Sequence, residues 1–140
     1  MSVVSETLSV RRGPLVVAGG VLAAIVVSSL ANTVISVLAH EIGAPDDFAP
    51  LMPSSYVFLT ALGAVLGALG WGIVRKSARN PERLVRWLAP AVVVVSFVPD
   101  FLLYGEGGAT GVAALLLMHA VVAVILVMTY RKVMPLNSAR

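Results

Sequence analysis

Few side chains in this chain of 140 residues could do chemistry. The most conspicuous is Asp100, which follows Pro99 in the apolar run SFVPDFLLYG. A carboxylate at hydrocarbon depth is costly, about 2.5–3.5 kcal/mol at the centre of a span and less near its boundary, so it needs a partner or a task. His119, in the stretch LLLMH, could be that partner. Aspartate and histidine together form an acid/base pair able to take up and release a proton. Asn32, Thr60 and Ser96 add neutral hydrogen-bonding groups elsewhere in the apolar runs.

Other chemistries are harder to build. Cysteine is absent, which excludes disulfides, thiolate nucleophiles and cysteine-ligated metal centres. The chain has no nucleophile motif, phosphate-binding glycine loop or HExxH. His40, Glu41, Asp46 and Asp47 lie close in sequence, but such an acidic loop is ordinarily solvated, so no metal is expected. His119 has no second strong ligand for heme, so no cofactor is expected either. No residue is assigned a catalytic role.

The elements that must position these groups are membrane helices. With 59% hydrophobic and 12% charged residues, the chain is too apolar for an ordinary water-soluble domain. Four runs are long enough to span a bilayer, which takes about 20 helical residues: 14 to 39, 54 to 74, 86 to 104 and 109 to 130. The expected architecture is therefore all-α, a four-helix transmembrane bundle forming a single membrane domain over residues 1–140. The first run is too long for a cleaved signal, and the ten residues before it read as a flexible tail.

Basic residues give the orientation. Arg11 and Arg12 precede the first span, Arg75, Lys76, Arg79, Arg83 and Arg86 join the second to the third, and Arg131, Lys132 and Arg140 follow the fourth. Glu41, Asp46, Asp47 and Glu106 fall on the other side. Because cytoplasmic loops are enriched in Lys and Arg, both termini should be cytoplasmic, in a multi-pass protein of the plasma membrane. The net charge of +3 is thus a topology signal, and no nucleic-acid partner is expected.

Small residues predict how the spans pack. Gly63 and Gly67 form a GxxxG step continued by Gly70, and the first span repeats Gly20, Ala24, Ser28, Asn32 and Ser36 at four-residue intervals. Close approach of the first two spans, with Gly63, Gly67 and Gly70 as packing residues, is the expectation. Trp71 and Trp87 read as anchors at the membrane interface. At ~1.5 Å rise per residue, Asn32 falls roughly 10 Å below the external end, Thr60 about 9 Å, Ser96 about 12 Å, Asp100 about 6 Å and His119 about 15 Å. Ser96, Asp100 and Tyr104 share one helical face, and Pro99 frees the Val95 carbonyl and bends the helix there. These groups could meet in a partly wet pocket in the outer half of the membrane. Alternatively, Asp100 meets water at the boundary while Asn32 and His119 merely cross-link helices.

Asn32, the loop from Gly43 to Pro53, LGALGWGIVRK, SFVPD and LLLMH together make the chain similar to a family of small, uncharacterised four-helix membrane proteins found mainly in actinobacteria. The resemblance covers nearly everything after residue 14 and implies a fold and a place in the cell envelope, with no mechanism. Two functions follow from the residues. One is a binding or accessory protein whose outer-half cluster of Asn32, Thr60, Ser96, Asp100 and His119 holds a lipid-like or apolar molecule, or whose faces dock a membrane protein. The other is an enzyme or proton-coupled transporter using Asp100 and His119 as an acid/base pair, which would need a homo-oligomer because four helices are narrow. Membrane lipids are expected partners in either case, and the five basic residues between spans two and three could recruit anionic ones.

Overall fold

A computed structural model describes residues 12–136; the proposed N-terminal tail lies outside them. The described residues form four helices, α1 (Pro14–Glu41), α2 (Pro53–Ser77), α3 (Pro81–Leu102) and α4 (Tyr104–Val133), with a 3-10 turn at Ala49–Leu51. Each helix is long and apolar enough to cross a membrane. Alternating directions place Arg75, Lys76, Arg83, Arg86, Arg131 and Lys132 at one end of the bundle, here the basic end, and Glu41, Asp46, Asp47 and Glu106 at the other, the acidic end.

Local chemistry explains the boundaries. Proline stands at the first helical position of α1, α2 and α3, where its missing N–H is no loss. Asn80 caps α3 by accepting a hydrogen bond from the Arg83 backbone N–H at 3.1 Å. At the end of α1 the Gly43 and Ala44 N–H groups donate to the His40 and Ala39 carbonyls, a Schellman closure that needs the positive φ of 106° at Gly43. Arg75 and Lys76 close α2, and Arg131 and Lys132 close α4, where the helix dipole favours cations.

The α3–α4 hairpin differs from its expected form. Residues 105–108 read as a loop after a span ending at 104, yet helical hydrogen bonds continue past Leu103, from Glu106 and Gly107 N–H to the Leu103 carbonyl. The ladder breaks at Gly108, whose φ of 61° and ψ of −171° lie in a region that essentially only glycine adopts. The hairpin tip is therefore Gly108, and Asp100 lies about 12 Å below it rather than near the boundary.

Helix α4 is the organising element, packed most extensively on α1, then on α3, and touching α2. The expected intimate contact of α1 with α2 is only part of the arrangement. Ala24, Ser28, Asn32 and Ser36 are buried, but the neighbouring Gly20 sits against Val133 and Thr129 of α4, where an added Cβ would lie 2.6 Å from Val133 Cγ1. Gly63 and Gly70 face open space, whereas Gly67 makes room for the Tyr130 ring of α4. A GxxxG step permits a close approach without choosing what approaches; here an aromatic side chain uses one glycine and the others face outward.

Two apolar clusters hold the bundle. Toward the basic end, Tyr130 donates its hydroxyl hydrogen bond to the Ala64 carbonyl and packs on Trp71 with ring centroids 5.5 Å apart. Trp71 donates Nε1–H to the Met134 carbonyl at 2.9 Å, fixing the chain where α4 ends. Trp71 is consequently an internal packing residue and not an interfacial anchor, while Trp87 is exposed. Toward the acidic end, Phe48 and Leu51 of the proline-rich connection are buried with Ala39, Tyr56, Ala114, Leu115 and Met118. Phe48 fills a notch over Gly107 and Gly111, where Cβ atoms would lie 2.5 and 3.0 Å from its ring. Ser36 donates to the Leu51 carbonyl at 2.7 Å and ties this plug to α1.

Candidate functional site

The residues singled out from sequence occupy two separate seams. In the α1–α2 seam, Asn32 donates Nδ2–H to Thr60 Oγ1 at 3.0 Å, both side chains being buried. Beside it, Thr33, the next residue of α1, and Tyr56, one turn before Thr60 on α2, share a hydrogen bond of 2.9 Å between their hydroxyls. The register follows from antiparallel packing: Asn32 lies about 13 Å from the end of α1 and Thr60 about 10 Å from the start of α2. A polar pair in hydrocarbon exchanges an unsatisfied group for an interhelical bond worth about 0.6 kcal/mol. Asn32 Oδ1 and Ser28 Oγ remain buried without a partner.

In the α3–α4 seam, Asp100 Oδ2 lies 2.9 Å from His119 Nδ1. His119 is about 16 Å below Gly108 on α4 and Asp100 about 12 Å below it on α3. Both side chains lean toward their own helix N-termini, which point in opposite directions here, and the lean closes the difference. The same Nδ1 lies 3.0 Å from the Leu115 carbonyl one turn back. A carbonyl can only accept, so Nδ1 carries the proton, directed along the helix and shared imperfectly with the carboxylate. This is why Asp100 Oδ2, at ion-pair distance, still lacks a well-aligned donor.

The pair is asymmetric in exposure, 7% for the Asp100 side chain and 39% for that of His119. The carboxylate is sealed inside, and the imidazole reaches the bundle surface with Phe97 edge-on at 6.1 Å between ring centroids. An imidazole with Nδ1–H engaged presents Nε2 as an acceptor, and here the Leu115 carbonyl engages Nδ1 with the Asp100 carboxylate close beside it. Ser96, one turn from Asp100, is spent on its own helix, donating to the Val93 carbonyl at 2.6 Å. Tyr104, expected on the same face, is exposed beyond the irregular turn at Leu103.

Among the described residues no hydrogen bond or ion pair joins the two seams. Asn32 and Thr60 on one side, and Asp100 and His119 on the other, share a depth without sharing a site. His40, at the mouth of α1, contacts its own helix through Nδ1 and the Ser36 carbonyl at 2.7 Å. No group of three or more His, Asp or Glu side chains converges among the described residues. Sequence reading passed over Phe48 and Tyr130, the buried aromatics that tie α4 to the α1–α2 connection and to α2. The glycines beneath Phe48, at positions 107 and 111, were the available signal.

Residues 9–135 match the model of a family described as a family of unknown function (DUF6069). No curated protein and no solved structure matches the chain.

Proposed function

This chain belongs to that family of unknown function, DUF6069, and we propose that it is a membrane binding or accessory protein that docks a transmembrane partner on its α3–α4 face. One observation carries the reading: on helices apolar enough to cross a membrane, a half-exposed imidazole stands 2.9 Å from a buried carboxylate. Lipid tails offer no hydrogen bond to the outward nitrogen, so a docked helix carrying a donor gains a bond that the acyl chains cannot provide. On α3, Phe97 lies against the imidazole, and exposed Val94, Val98 and Phe101 add apolar surface to that helix. The concentration of Lys and Arg at the basic end supports a cytoplasmic position for both termini.

The reading predicts discrete cross-links. A photoreactive residue at Val94 or Val98 should give one adduct of defined protein mass in cells, whereas one at Leu66, exposed on α2, should not. His119→Leu should abolish the adduct while the purified protein keeps its helical content. A lipid-only adduct would favour a small apolar ligand, and no adduct at all would refute docking on this face.

The 2.9 Å contact also favours a second reading, a proton-handling pair in an enzyme or transporter. Asp100→Asn separates the two. Proton transfer requires the carboxylate, so the amide would end turnover or pH response, while docking through His119 would weaken only as far as the ring loses its orientation.

A further inference from the structure

On a face of α4 different from that of His119, a groove of about 400 Å³ runs between α1 and α4. Gly20, Ala23, Ala24 and Val27 form one wall and Ile125, Met128 and Thr129 the other, with Lys132 at its basic end. The groove exists because small residues on α1 leave space where α4 carries larger ones. Thr129 turns its hydroxyl back to the Ile125 carbonyl at 2.8 Å and shows the groove its methyl group. The lining is thus apolar along its length and cationic at its mouth.

Among the described residues, the charge at that mouth has no carboxylate partner. Arg131 is held by Glu82 of α3 at 2.8 Å, while neighbouring Lys132 is exposed and forms no ion pair among the described residues. Arg12, at the start of α1, belongs to the same end. An ammonium at the level of lipid headgroups, above a channel sized for hydrocarbon, matches the two parts of one molecule.

We infer that the α1–α4 groove is a binding site for an anionic phospholipid, whose acyl chain lies between Ala23 and Met128 and whose phosphate meets Lys132. Basic pockets between transmembrane helices bind anionic headgroups in this way. A second copy of the chain fits the groove less well, because a helix inserted there in the same orientation would bring its own basic end beside Lys132.

The test uses the full chain in dodecylmaltoside micelles doped with dioleoyl phosphatidylglycerol or dioleoyl phosphatidylcholine, with bound lipid read by native mass spectrometry. One phosphatidylglycerol should be retained at least fivefold more strongly than phosphatidylcholine. Lys132→Gln should weaken its retention roughly fivefold. Ala23→Phe, a change at an exposed position, should fill the groove and remove both lipids. Arg86→Gln, at the same end on α3, should leave retention unchanged. Equal retention of the two lipids would overturn the inference, as would undiminished phosphatidylglycerol in Lys132→Gln, or Ala23→Phe acting only by separating a dimer into monomers.

Discussion

Replacing Tyr130 with alanine is expected to destabilise the bundle by about 3–5 kcal/mol, measured as a shift in unfolding by sodium dodecyl sulfate in mixed micelles. The ring lies buried between Trp71 and the notch at Gly67, and its hydroxyl reaches across to the Ala64 carbonyl, so one side chain joins α4 to α2 in two ways. Removing it leaves a void that lipid cannot enter without separating the helices, and the surrounding atoms lose their dispersion contacts. Tyr130→Phe isolates the smaller part. It keeps the ring and loses one interhelical hydrogen bond, for about 0.6–1.7 kcal/mol. If the two substitutions were equally damaging, the hydroxyl and not the packing would be the main contribution.

Phe48→Ala is expected to cost a similar amount, about 3–5 kcal/mol, by a different route. Phe48 sits in the connection between α1 and α2, outside the spans, where water competes for the space it leaves. Its burial is therefore driven by the ordinary hydrophobic effect as well as by contact with Gly107 and Gly111. Loss of the ring should also loosen the tip at Gly108, so backbone amides from 104 to 111 should exchange with deuterium faster than those at the basic end. Uniform exchange along α4 would show that the plug does not brace the hairpin.

Much of the architecture was legible because solvent imposes it. Hydrocarbon requires about 20 apolar residues per crossing, and that rule places four spans, though the starts of α3 and α4 lie five residues before the expected ones. Clustering of Lys and Arg likewise separates a basic from an acidic end. What periodicity could not supply is which helix lies beside which. Every span is apolar all round, so an inward face is marked only by small or polar side chains, and these do not name their neighbour. Hence the row from Gly20 to Ser36 is inward, yet part of it meets α4 rather than α2.

The candidate site shows the same division. Asp100 and His119 could be paired from the expense of a carboxylate in hydrocarbon. Asn32 and Thr60 were placed with them by depth alone, and depth carries no information about direction around the bundle. The glycine-rich stretch after Tyr104 read as loop by composition, whereas the helix persists to Gly107 and lowers Asp100 to the level of His119. A single positive φ at Gly108 sets that register, and nothing in hydropathy reports a dihedral angle.

The orientation of the His119 ring can be read directly by ¹⁵N magnetic resonance of the imidazole in lipid nanodiscs. With Asp100 sealed behind it, neutral His119 should show a protonated Nδ1 and a bare Nε2, and Asp100→Asn should shift both signals. A ring protonated at Nε2, or one whose signals ignore Asp100→Asn, would mean that the carboxylate does not hold the histidine outward.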